Sequence, residues 1–225
     1  MKFTIPFLLL LVALQFNTEA QVYDVSLADR NKAIELYNLA IENNMNNKVS
    51  EVFEQFVKAI SIDSTFRNPY LQLYTVSMSD SNFVDQSIII LQKSKKIFQQ
   101  DDEICYYLGE MYKIKGELKR AMAEYSMAIA YSKMNGEDFP LVHKYYFSRA
   151  NICLEKNMIS TAVLDYTYAL NLKPDYGVAY ANRGICLFKM EEIEAACKDW
   201  EQAVKLGISQ SEEYLKKNCN TETAK

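Results

Sequence analysis

The stretch "ALNLKPDYGVAYANRG", residues 169–184, reads as the end of one helix, a turn marked by Pro174, and the start of a second helix. The residues on either side of the turn are self-similar. "YFSRANICL" at 146–154 is matched by "YANRGICLF" at 180–188, 34 residues later, and "LDYTYAL" at 164–170 is matched by "KDWEQAV" at 198–204 at the same offset. A fixed offset of this length points to one repeated helix–turn–helix unit, and it supplies the frame in which the rest of the chain is read.

With first positions at 33, 68, 102, 143 and 177, like residues fall at like places. Position 8 holds Ala40, Thr75, Gly109, Ala150 and Gly184; position 20 holds Val52, Ser87, Ala121, Ala162 and Ala196; position 27 holds Ala59, Ser94, Ala128, Ala169 and Ala203. Position 24 is large instead: Phe56, Leu91, Tyr125, Tyr166 and Trp200. Small residues are needed where two helices cross closely, and a large one fills the space beside the crossing. Gly (6) and Pro (4) are scarce while Tyr (16) and Phe (11) are plentiful, which suits packed helices with few breakers.

This pattern resembles the tetratricopeptide repeat, a 34-residue helix–turn–helix unit with small residues at the crossing and a closing proline, here Pro174. The resemblance covers residues 33–208 as units 33–66, 68–101, 102–135, 143–176 and 177–208. The last two match best. The first two are degenerate, with Val52 large for position 20 and Asn43 polar at position 11. Arg67 is one extra residue between them, and "GEDFPLV" at 136–142 is an insert whose Gly136 and Pro140 mark a loop. The resemblance implies an all-α fold: an α-solenoid, a right-handed superhelix of about five helix pairs, closed by a capping helix and tail in 209–225. Ser209 or Ser211 is expected to cap that helix, with Tyr214 and Leu215 facing inward. Residues 21–32 are expected to form a poorly ordered lead-in.

Residues 1–20 have a Lys, an apolar run at 5–14 and a polar region ending at Ala20, the layout of a cleavable signal peptide. The run is shorter than the roughly 20 apolar residues a membrane span needs. The expectation is an exported chain, periplasmic or secreted, starting at Gln21 and with no stable membrane span after cleavage. A net charge of −4 argues against a nucleic-acid partner, which calls for a basic stripe.

Catalytic chemistry finds little material. The one histidine, His143, has no nucleophile suggested near it, no CxxC or HxxxH spacing exists, and Gly-rich phosphate loops are absent. No enzyme activity, cofactor or metal is therefore expected. Arg149 and Arg183 stand at position 7, each with an Asp 16 residues on, Asp165 and Asp199, which predicts an ion pair across each helix hairpin or between neighbouring units. Of the five cysteines, Cys105 and Cys153 sit at core positions. A disulfide between Cys197 and Cys219 would staple the capping helix to the array, with Cys186 as a rival partner.

In the tetratricopeptide family the first helices line a concave surface, so the resemblance implies a peptide-binding groove with Tyr106, Tyr107, Lys144, Phe147, Asn151 and Asn182 among its residues, next to Glu110 and Ser148. Asn151 and Asn182 match the asparagines of the subgroup that clamps a C-terminal carboxylate. However, Phe147 replaces that subgroup's Lys and Glu212 its following basic residue, so tail recognition is not expected. The two asparagines are expected to bond an extended peptide backbone, and the aromatics to take apolar anchors. The implied function is protein–protein or peptide binding through the concave helical surface. The alternatives are an accessory or scaffold subunit of a cell-envelope or secretion complex and, third, an undetected hydrolase.

Overall fold

The computed structural model describes residues 24–44, 48–137 and 140–219. The apolar N-terminal run and the expected cleavage site after Ala20 lie outside these residues. All described regular elements are helices. Five pairs follow one another: α1 (Leu27–Asn44) with α2 (Val49–Ile62), α3 (Arg67–Ser79) with α4 (Val84–Ser94), α5 (Asp102–Ile114) with α6 (Leu118–Asn135), α7 (Val142–Glu155) with α8 (Ile159–Leu172), and α9 (Gly177–Lys189) with α10 (Ile193–Lys205). A short helix, α11 (Ser211–Asn218), closes the series. Each helix packs on the next in sequence, which makes the chain an α-solenoid whose core is extended by stacking. Across units, α3 touches α5 and α7 touches α9, and no two second helices approach as extensively. The first helices therefore crowd together on the inner side of the array.

The repeat frame holds in the core. The residues at positions 20, 24 and 27 of all five pairs are at most 1% exposed. At the crossing the fit is tight. A Cβ placed on Gly109 would lie 2.6 Å from Cε1 of Tyr125, and one on Gly184 would lie 2.5 Å from Nε1 of Trp200. The largest rings thus sit where position 8 has no side chain. The next turn is also shared: Gly116, Asn157 and Glu191, the fifteenth residues of the last three units, all have positive φ (75°, 58° and 63°) and end the first helix of their pair.

Three expectations need correction. Thr75 is exposed, so it does not line the crossing of its pair. A 3-10 turn at Ser81–Phe83 shortens the connection there, and the close contact falls to Ser77, whose Oγ lies 2.9 Å from that of Ser87. The lead-in at 21–32 is partly helical, because α1 starts at Leu27. Ser26 Oγ accepts from Asp29 N at 3.1 Å and donates to the Asp29 carboxylate at 2.7 Å, which fixes the start of the helix. Neither Ser209 nor Ser211 caps α11: Gln210 precedes the helix without a side-chain bond, and Ser211 is buried with its Oγ unpartnered. Of the insert at 136–142, residues 138 and 139 lie outside the described residues, and the expected loop holds at Gly136 but not at Val142. Gly136, at φ 95°, ends a long α6, but Val142 already belongs to α7 and is buried.

The crossing gives a test of sign. Gly→Ala inside a helix ordinarily stabilises by roughly 0.5–1 kcal/mol. Gly184→Ala is expected instead to destabilise by about 1–3 kcal/mol, through overpacking against Trp200. Chemical denaturation of the two proteins measures it, and a gain in stability contradicts the account.

Candidate functional site

Burial of the position-24 rings sets the polar chemistry of the inner surface. Tyr125 and Tyr166 are fully buried, and their hydroxyls need partners. Tyr125 donates to Glu110 Oε1 at 2.5 Å, and Ser148 of the next unit donates to the same oxygen at 2.9 Å. One unit on, Tyr166 donates to Asn151 Oδ1 at 2.6 Å, and Asn182 Nδ2 donates to it at 3.0 Å. The two sets occupy the same frame positions: 9, 24, and 6 of the following unit. Each set closes its own hairpin and ties it to its neighbour. In the last pair Ile185 stands at position 9, and Trp200 donates instead to the Ala181 carbonyl at 3.2 Å.

Glu110 is a buried carboxylate of this surface. Its Oε2 accepts from Lys113 at 2.6 Å. Burial and then the Glu110 charge raise the pKa of the Tyr74 hydroxyl, and in the same order push that of Tyr176 up to about 12. Tyr125, gripped by the same carboxylate, is raised further by burial. All three phenols are neutral at ordinary pH.

The position-7 arginines form ion pairs within their own hairpins. Arg149 Nε and Nη2 each lie 2.8 Å from Asp165, and Arg183 reaches Asp199 at 2.7 and 2.8 Å. The third nitrogen crosses to the preceding unit, from Arg149 to Ser126 Oγ and from Arg183 to Thr167 Oγ1, each at 3.1 Å. Donating to the aspartates raises both arginine pKa values against the opposing effect of burial. These side chains are occupied by structure and do not form an open anion site.

The sequence-nominated groove residues divide. Asn151 and Asn182 are brought together, half-exposed, on α7 and α9. Tyr107 is half-buried against Tyr74, with ring centroids 5.1 Å apart, and Phe147 lies 4.8 Å from Tyr176. Lys144 is half-buried on α7 and makes no ion pair among the described residues. Tyr106 is a correction: it is buried, its ring set between those of Tyr125 and Tyr145 at 6.0 and 4.9 Å, so it serves the core and offers little to a ligand. Tyr74 and Tyr176 were not nominated, yet they complete the aromatic walls. His143 packs edge-on against Tyr176 at 5.1 Å, and burial together with Lys173 lowers its pKa.

At the end of the array Cys197 and Cys219 are joined by a disulfide, their Cα atoms 5.8 Å apart. Cys186 faces the other way, into the cluster with Cys153 and Tyr166, and Cys105 is also buried. Burial pushes the Cys105 thiol up to about 12 and Cys186 up to about 11, so neither is reactive. Tyr214 stacks on Trp200 at 5.0 Å, and Leu215 packs on the same cluster.

No family model matches the chain. A stretch of 61 residues is 41% identical to part of the DnaJ homolog subfamily C member 7 homolog of Dictyostelium discoideum; it makes up 27% of this chain and 11% of that protein, so the chain spans about a tenth of the length of the curated relative it matches. Solved structures agree over most of the chain. Residues 41 to the end of MamA from Desulfovibrio magneticus match with a TM-score of 0.64 and 13% identity over 80% of this chain and 97% of that one. YrrB, described as a TPR protein with an unusual peptide-binding site, matches with a TM-score of 0.61 and 17% identity over 84% and 94%. Yeast Tom70 matches with a TM-score of 0.70 and 17% identity over 88% of this chain and 44% of its own. The fold is thus the tetratricopeptide-type α-solenoid.

Reduction should loosen the array end. The disulfide closes a loop of 22 residues, for which the loop-entropy model gives about 3 kcal/mol. Unfolding followed with and without a thiol reductant is expected to show a loss of this order, with faster proteolysis at 209–219. Equal stability in both states contradicts this role.

Proposed function

We propose that this protein is an exported, non-catalytic binding protein that holds a protein or peptide partner along the inner surface formed by its first helices. The solenoid class supports the general reading, because stacked helix pairs offer an extended concave surface suited to partner binding. One observation carries the finer one. Asn151 Oδ1 already accepts from Tyr166 and Asn182, which orients both carboxamides. Asn151 Nδ2 and Asn182 Oδ1 are left without a protein partner among the described residues, a donor beside an acceptor on the inner surface. Such a pair suits the N–H and C=O of an extended backbone, and Tyr107, Phe147 and Tyr176 supply apolar area alongside.

Export is supported by the apolar run before Ala20 and by a disulfide, which persists in oxidising compartments. N-terminal sequencing of the protein from its native host is expected to read from Gln21. An intact Met1 chain in the cytosol overturns this part.

The groove is tested by a double change, Asn151→Ala with Asn182→Ala. Partner binding, measured by calorimetry on a partner identified by crosslinking in the host, should weaken by about 1–3 kcal/mol. The helical circular dichroism signal should be nearly unchanged. Undiminished binding moves the site off this surface.

A further inference from the structure

The C-terminal end of the inner surface holds a cavity that the asparagine pair does not use. It measures about 280 Å³ and is bounded by Ile185 and Phe188 on α9, Trp200 on α10 and Tyr214 on α11, with Lys189 and Lys217 at its edge. That is just under the roughly 300–1,000 Å³ of sites that hold drug-sized ligands, a size for one large side chain. The lining is mostly hydrocarbon and aromatic; Asn218 also borders it, with its Nδ2 turned to the Tyr214 carbonyl at 3.0 Å. Phe188 and Tyr214 remain 39% and 41% exposed although each packs on Trp200, at 5.7 and 5.0 Å. A capping helix needs a polar outer face; on α11 the partly exposed Tyr214 is the exception, and it borders the cavity together with Phe188 of α9. The disulfide between Cys197 and Cys219 anchors α11 directly beyond it.

Charge identifies the occupant. Lys189 ends α9 and Lys217 lies in the last turn of α11, so they stand on different walls of the cavity. Lys216 is engaged with Glu212 at 3.7 Å, whereas neither Lys189 nor Lys217 makes an ion pair among the described residues. In a chain of net charge −4, two unpaired ammonium groups flank an apolar hole.

We infer that this cavity takes an internal acidic–aromatic–acidic segment of a partner protein, with the aromatic side chain in the hole and an Asp or Glu on each side of it reaching Lys189 and Lys217. The inference rests on the inner-surface binding proposed above and adds the chemistry of the bound segment. Anchor burial supplies attraction, and the lysines supply selection by sign.

Trp200 is the chain's one tryptophan, so its fluorescence reports on the cavity directly. The probe is an acetylated, amidated heptapeptide, Gly-Ser-Glu-Phe-Glu-Ser-Gly, titrated into the full oxidised chain at low salt. A saturable change in Trp200 emission is expected, with affinity falling by about tenfold or more for the Lys-Phe-Lys analogue. In Lys189→Glu with Lys217→Glu the preference between the two peptides should reverse. Both lysines are exposed, and unchanged circular dichroism confirms that the variant folds. Absence of a saturable change, equal affinity for the two peptides, or a variant that keeps the wild-type preference overturns the inference. Partner binding that still depends on Asn151 and Asn182 while the probe gives no response overturns this inference alone and leaves the inner-surface reading standing.

Discussion

The structure depends on one packing constraint, the meeting of a residue with little or no side chain at position 8 and a large ring at position 24 of the same pair. Gly109 lies under Tyr125, Ala150 is paired with Tyr166, and Gly184 lies under Trp200. Close crossing buries the ring completely, and burial obliges its polar end to find a partner. Position 9, next along the helix, provides one in Glu110 and Asn151. The same acceptor oxygen then takes a donor from position 6 of the following unit, Ser148 or Asn182. A steric requirement inside one hairpin thereby produces a polar link between hairpins, and it places that link on the inner surface.

The charged pairs work in parallel on the same joints. Arg149 and Arg183 bind their aspartates bidentately and also touch the unit before. Partly buried pairs of this kind gain little net energy, since desolvation offsets much of the Coulomb attraction. Their geometry still disfavours a slipped stack, because a shift of one turn would leave a carboxylate buried and unpaired. The array end has a neighbour on one side only and lacks the next joint. There α11 covers Trp200 with Tyr214 and Leu215, and a covalent bond holds the cover in place.

Positions 20, 24 and 27 were legible in the sequence because each depends on residue size inside a fixed 34-residue frame. Thr75 was misplaced because the 3-10 turn at Ser81–Phe83 shifts where α3 and α4 meet, and size at a fixed position carries no record of such a shift. The start of α1 was missed although its signal, Ser26 followed three residues later by Asp29, is present in the sequence. The inner surface was half legible. The frame picks out Asn151 and Asn182, but it also points Tyr106 toward a ligand, whereas Tyr125 and Tyr145 enclose its ring. The role of Glu110 was out of reach, since its partners come from α5, α6 and α7 and only stacking brings them together. The one available hint was that Glu110, Tyr125 and Ser148 repeat the positions of Asn151, Tyr166 and Asn182.

Oriented carboxamides, aromatic walls and the inner surface support the proposal that an extended segment of a partner lies there. Hydroxyl-radical footprinting of the chain with and without its crosslink-identified partner tests it most directly, since oxidisable side chains stand on both sides. Met134 and Leu164, on the second helices, are 64% and 70% exposed and act as internal controls. Protection of Tyr107, Phe147 and Tyr176 with unchanged oxidation of Met134 and Leu164 is the predicted result. Protection of Met134 and Leu164 with Tyr107, Phe147 and Tyr176 still oxidised at the free rate would contradict it.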